Sequence, residues 1–413
     1  MNDSLAGWLA RIEKLHPSEI ELGLDRLRSV AGRLLHDRIS CPVITVAGTN
    51  GKGSTVALID ALARVAGWRV GRYTSPHLQH FNERIVIDGE AVDDGALCQA
   101  FDAVEAARAQ VPLTYFEFTT LAAFWLFQRA GLNLLVLEVG LGGRLDAVNL
   151  LDADVAVITS VGLDHQDWLG DTRDAIAREK AGVARAGRPL LYAEVDMPLS
   201  VEQEAARIGA RLLRAGYEFA VNDGQIRWQG VTGARAIQVG VIPLGGDNLA
   251  VALQALALVD CEPAAEQLVS VAETLRVMGR CEPIEALGRH WVLDVGHNRE
   301  ALARLADRLA PIAGRTFVVC AMLADKPAQA ILPFVDITTH WYLAALDVAR
   351  GADPARLAAQ LPAGSAYSIH SDVAGAMLAA RDAAEEDDRI LVFGSFYTVA
   401  AAKELLDQTM TSV

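Results

Sequence analysis

A run of apolar and β-branched residues, Val43-Ile44-Thr45-Val46, stops at Ala47-Gly48-Thr49-Asn50-Gly51-Lys52-Gly53-Ser54-Thr55. Three glycines, a lysine and several hydroxyls at a strand-to-helix turn suit one task, closing backbone N–H groups around phosphate oxygens at a helix N-terminus. Lys52 would set a full charge against the outer phosphates, and Ser54 or Thr55 could reach a magnesium ion or a phosphate. The loop departs from the common phosphate-loop spacing, which wants glycine where Val46 stands and a hydroxyl where Gly53 stands. Two more apolar segments end in residues able to do chemistry. Leu134 to Val139 carries Glu138, a carboxylate costly to bury unless it pairs with a cation; Arg144 is one such partner, a metal ion facing the phosphates the other. Val155 to Ser160 runs into Asp164-His165, where a histidine alone reads as structural as easily as functional. Lys52, Glu138 and His165 thus recur at three strand ends, the side of an open parallel sheet where ligands bind.

The elements that must position these residues alternate. A helical stretch over 5–35 precedes the first strand, and Val56, Ile59, Leu62, Ala63 and Ala66 continue the glycine loop at helical spacing. A strand Arg69–Thr74 ends in Ser75-Pro76-His77; Pro76 forbids regular continuation, so Ser75 serves equally as a cap or a ligand. Helices follow over 94–110 and 116–130, and a further strand over Pro189–Val195. Lys180, in Glu179-Lys180-Ala181-Gly182, is by spacing alone an ordinary surface lysine. Residues 217–242 alternate apolar and polar in short glycine-punctuated runs, as a small antiparallel patch does, and 248–258 and 269–275 are helical. Beyond Met278 to Pro283 the strand–helix alternation restarts: strands 291–295, 316–322, 341–346 and 389–393, with helices over 300–310 and 371–386. This predicts a second, smaller Rossmann-like domain, whose first strand ends in Asp294-Val295-Gly296-His297-Asn298 and its last in Gly394-Ser395.

A chain of 413 residues exceeds what one hydrophobic core sustains. Apolar residues at 52% against 22% charged place it among globular proteins. A net charge of −15 argues against a nucleic-acid partner, which needs a basic footprint. No window reaches ~18 uninterrupted apolar residues, so no membrane span is expected. Five scattered cysteines read as reduced thiols of a cytoplasmic protein.

In their order and spacing, Ala47 to Ser54, Thr74-Ser75-Pro76-His77-Leu78 with Asn82-Glu83-Arg84, Leu137 to Asp146, Asp164-His165, Glu179 to Gly182, Gly279-Arg280, Asp294 with His297-Asn298, and Gly394 to Tyr397 resemble the folylpolyglutamate synthase family. That family includes the bacterial bifunctional dihydrofolate synthase/folylpolyglutamate synthases and belongs with the Mur ligases. The resemblance implies an α/β fold: a Mur-ligase-like, P-loop-containing parallel-sheet domain for ATP and folate at 1–282, and a Rossmann-like glutamate-ligase domain at 288–413. It implies ATP-dependent addition of L-glutamate to dihydropteroate and to reduced folates through an acyl phosphate, by a monomer. Closure of two domains, with Arg280 near the hinge, would keep water from that intermediate. The implied roles are ATP phosphate binding by Gly48, Thr49, Asn50, Gly51, Lys52, Gly53, Ser54 and Thr55, and metal binding by Ser75, Glu138, His165 and Lys180, with two Mg2+ ions and a carbamate on Lys180. Asn248, Arg280, Asp294 and His297 would grip ATP from its far side. Phe116, Arg144, Asp146 and Ser395 would meet substrate; Lys52, Glu138, His165, Lys180 and His297 would be catalytic. Val148 and Arg299 depart from the family pattern, the first leaving the hydrogen bonding near Asp146 open. Three rivals stand: polyglutamylation alone, a Mur-type ligase acting on a UDP-linked peptidoglycan precursor, and a nucleotide-dependent switch without amide chemistry.

Overall fold

A computed structural model of the chain describes residues 4–16, 18, 20–35 and 39–410. Packing divides it into two units, Met1–Leu275 and Arg276–Val413. The first holds strands Val43–Ala47 (β1), Val70–Tyr73 (β2), Ile85–Ile87 (β3), Glu90–Ala91 (β4), Leu134–Glu138 (β5), Val155–Ile158 (β6), Pro189–Tyr192 (β7) and Arg211–Arg214 (β8). Their order across the sheet is β4-β3-β2-β5-β1-β6-β7-β8. All pairings from β2 to β8 are parallel, while β3 and β4 add an antiparallel edge. The apolar runs of β1, β5 and β6 are buried at every position because helices cover both faces of such a sheet. Helix Lys52–Val65 is buried along most of its length for the same reason: it lies among β1, β2, β5 and helices Gly246–Ala257 and Ala265–Thr274, and its one buried acid, Asp60, pairs with Arg64 and Arg72. A satellite sheet in the order β11-β10-β9 follows, formed by Ala220–Asn222 (β9), Gln225–Gly230 (β10) and Gly233–Gln238 (β11).

The second unit holds Glu282–Ala286 (β12), Arg289–Asp294 (β13), Thr316–Cys320 (β14), His340–Ala344 (β15), Tyr367–His370 (β16) and Arg389–Phe393 (β17). Their order is β12-β13-β17-β14-β15-β16, with only β12 antiparallel. Its core gathers Leu302, Leu305, Phe334, Trp341, Leu343 and Phe393 on one face of that sheet.

The structure departs from the sequence expectations at particular places. The helical stretch expected over 5–35 is two helices, Leu5–Ile12 and Asp25–Leu34, and positions 17 and 19 between them lie outside the described residues. Division by packing falls before residue 282, so β12, expected to lie at the end of the first domain and in the gap before 288, joins the second sheet. The short strands β3, β4, β8 and β16 were not expected, because runs this brief carry no periodicity of their own. Arg299 opens helix Arg299–Arg308 behind Asn298, which caps Ala301 N at 2.9 Å, so the position tolerates arginine.

Candidate active site

Four neighbouring strands, β2, β5, β1 and β6, run parallel and end level with one another: Tyr73 stands beside Leu137, Val46 beside Glu138, and Ala47 beside Ile158. Their C-terminal ends deliver Ser75, Glu138, the glycine loop and the segment leading to His165 to one edge of the sheet. Ser75 N lies 3.4 Å from Glu138 Oε2, and Glu138 is only 4% exposed. The Glu138–Arg144 ion pair weighed from sequence does not form: Arg144 binds Glu204, lies 3.6 Å from Glu179, and donates to Arg178 O.

The loop is held from behind by residues that sequence reading passed over. Thr49 N donates to Ser160 O (2.9 Å), Asn50 N to Ser160 Oγ (2.8 Å), and Thr159 Oγ1 to Asn50 O (2.6 Å). A Cβ on Gly48 would stand 1.9 Å from Thr159 Oγ1, and one on Gly51, at φ +86°, 2.7 Å from Asn248 Oδ1. Only glycine fits this cradle. Two polar residues closing the apolar strand β6 were the available signal. Lys52 opens the helix and curls over the loop, donating to Gly48 O (3.0 Å). Gly53 and Ser54 continue its first turn, and the Thr55 hydroxyl is engaged with Asn248 Oδ1 (3.2 Å), which leaves Ser54 as the hydroxyl of choice for a ligand.

Lys180 is not a surface lysine. Residue 180 is 4% exposed, brought inward because loop 140–146 packs on the end of its helix: Arg144 N donates to Glu179 O (2.9 Å), and a Cβ on Gly143 would meet the Glu179 and Lys180 carbonyls at 2.7 and 2.9 Å. Burial, with the neighbouring charge of Lys52, lowers its pKa to about 7. Asp164 and Asp146 act in the opposite direction, so the four groups share one neighbourhood. His165 is exposed at the start of a short helical turn, in the left-handed region at φ +53°.

Asp146 and Phe116, like Arg144, have structural contacts of their own. Asp146 accepts from Leu141 N (2.8 Å) and Val148 N (3.0 Å), and burial raises its pKa to about 6 against those bonds. Val148 itself is buried, so its backbone, without a side-chain hydroxyl, satisfies Asp146. Phe116 lies against Gly140, where a Cβ would come within 2.7 Å of its ring, and 6.0 Å from the ring of Tyr73.

In the second unit, Asp294 closes β13 and accepts from Cys281 N (2.8 Å) and Gly296 N (2.6 Å); burial raises its pKa, opposed by Arg280. Arg280 lies over the Phe396 ring at 5.2 Å. His297 Nδ1 donates to Val295 O (2.9 Å), a bond that holds the ring beside the end of β13. The Ser395 hydroxyl accepts from Thr398 N (3.0 Å) at the start of helix Phe396–Met410, a capping task. Arg280, Asp294, His297 and Ser395 therefore gather around the C-terminal ends of β13 and β17.

The Mur ligase middle domain family matches residues 46–218, and the Mur ligase glutamate ligase domain family residues 279–396. The dihydrofolate synthase/folylpolyglutamate synthase of Escherichia coli is 39% identical over 407 residues, covering 98% of this chain and 96% of the relative. That of Haemophilus influenzae is 37% identical over 426 residues, covering 96% of each. Among solved structures, E. coli FolC in complex with DHPP and ADP matches with a TM-score of 0.92 at 38% identity, over 98% of both chains. A bifunctional folylpolyglutamate synthase/dihydrofolate synthase with Mn, AMPPNP and L-glutamate bound matches with a TM-score of 0.90 at 40% identity, again over 98% of both.

Proposed function

Because this chain belongs to the dihydrofolate synthase/folylpolyglutamate synthase family of Mur-type ligases, we propose that it joins L-glutamate to dihydropteroate, forming dihydrofolate, and to reduced folates, lengthening their glutamyl chain. The observation that carries this reading is the convergence of Ser75, the Gly48–Thr55 loop, Glu138 and the His165 segment on four adjacent parallel strand ends. A carboxylate is a poor acylating agent. Transfer of the γ-phosphoryl of ATP to it gives an acyl phosphate, which the amine of glutamate attacks as phosphate leaves. Loop residues Gly48 to Thr55 would hold the phosphates, with Lys52 and the helix N-terminus opposing the charge that moves. Asn248 supports that loop through Thr55, while Arg280, Asp294 and His297 would take the rest of the nucleotide.

Hydroxyl and carboxylate oxygens suit Mg2+ or Mn2+, and Ser75, Glu138, His165 and Lys180 would hold two such ions. When bound they supply Lewis-acid stabilisation of the transferring group. Lys180 fits that set as a carbamate: its neutral amine adds CO2 and releases a proton, so a cation becomes a carboxylate-like anion. A pKa near 7 makes the neutral amine available. Phe116 would stack on the pterin, with Arg144 and Asp146 shaping that side of the first unit; Ser395 is the second unit's candidate for a substrate contact. The same reading has the chain work as a cytoplasmic monomer, in keeping with five free thiols.

Incorporation of radiolabelled glutamate, assayed separately with dihydropteroate and with tetrahydrofolate in the presence of ATP and Mg2+, tests the proposal. Product from both is expected. Product from tetrahydrofolate alone would reduce the function to polyglutamylation, and product only from a UDP-linked peptide precursor would overturn it.

A further inference from the structure

We propose that Arg84 recognises the non-reacting α-carboxylate of a glutamylated acyl substrate, a group that dihydropteroate lacks; this rests on the ligase reading above. Arg84 is 8% exposed. Its guanidinium lies over the rings of Phe81 (5.6 Å) and Tyr115 (5.4 Å), and its Nε donates to His77 Nδ1 at 2.8 Å. Among the described residues, no acceptor meets its two Nη nitrogens and no carboxylate pairs with it. The adjacent acid, Glu83, is committed to the backbone amides of Leu78, Gln79 and His80 at 2.6 to 2.8 Å. A largely buried cation held between two aromatic faces and an imidazole, its Nη nitrogens at the solvent-facing end and paired with no carboxylate among the described residues, calls for an anion. The open fork of a guanidinium matches a carboxylate in shape.

Position selects which anion. Phosphates belong to the loop after β1, on the far side of β5 from Arg84. Thr74 N donates to Arg84 O at 2.9 Å, and the next residue, Ser75, touches Glu138. Arg84 therefore stands one strand further from the phosphate loop than the Ser75–Glu138 contact, an offset of roughly 5 Å. A glutamyl group places its α-carboxylate three carbons from the γ-carboxyl that would be activated, a comparable reach.

Arg84→Met and Arg84→Lys, with thermal midpoints recorded, test the proposal through KM and kcat for each acyl substrate. For Arg84→Met the KM for tetrahydrofolate should rise roughly 10- to 100-fold, with kcat and the KM for dihydropteroate unchanged; Arg84→Lys should fall between. Equal damage to both activities would make the guanidinium a brace for its loop and overturn the proposal, as would a rise confined to the KM for glutamate. If Arg84→Met does not fold, the same comparison on Arg84→Lys decides. A wild-type chain that ligates glutamate to neither acyl substrate would instead overturn the ligase reading.

Discussion

Lys52 and Lys180 show how one sheet edge sets the chemistry of two identical side chains differently. Lys52 opens a helix and bonds to carbonyls of its own loop, a position from which its ammonium would meet the phosphates of a bound nucleotide. Lys52→Ala should lower the rate of ligation at least roughly 100- to 1,000-fold, the scale of removing one preorganised charge-stabilising group, with an unchanged circular dichroism spectrum; normal turnover would remove it from the phosphate site. Lys180 is buried and held near pKa 7, chiefly by desolvation. Its neutral form, the one able to add CO2, grows as pH rises through 7 and fades below it. Activity should therefore drop as pH falls from about 8 to about 6, and added bicarbonate should restore part of it. A carbamate signal in carbon-13 NMR of protein equilibrated with labelled bicarbonate, lost in Lys180→Ala, checks the assignment.

At the scale of elements, the loop Ser75–Arg84 depends on Glu83, whose carboxylate gathers three backbone amides while Asn82 Nδ2 ties the loop to Val92 O at 2.7 Å. Glu83→Ala should leave those amides without their acceptor, destabilise the fold by about 1–3 kcal/mol and raise the requirement for divalent cation by displacing Ser75; a denaturant titration and a Mg2+ dependence measure the two effects. Much of this architecture was legible in the sequence because β1, β5 and β6 are continuous apolar runs and their final residues are chemically conspicuous. The supports were not. Thr159 and Ser160 act across the sheet on Asn50, more than a hundred positions away in sequence, and nothing local announces that partnership. Lys180 looked ordinary because its burial comes from a glycine loop packing on its helix, a tertiary event. Arg144 and Asp146 were legible as a motif but not as structural groups, since their partners Glu204 and Leu141 N are fixed only once the chain has folded.

Across the whole molecule, each unit has its own sheet and its own buried core. Residues 276–413 expressed alone should therefore give a cooperative calorimetric transition; a featureless melt would show that the second core needs the first. The two units divide the candidate residues: the phosphate loop and metal-binding set lie on the first, and Arg280, Asp294, His297 and Ser395 on the second. Strand ends of one parallel sheet would bring a divalent cation and a triphosphate side by side. Anomalous diffraction from crystals grown with Mn2+ and a non-hydrolysable ATP analogue reads this directly. Manganese peaks are expected among Ser75, Glu138, His165 and Lys180, with the terminal phosphate against Lys52; manganese elsewhere, with Glu138 and His165 away from the nucleotide, would contradict it.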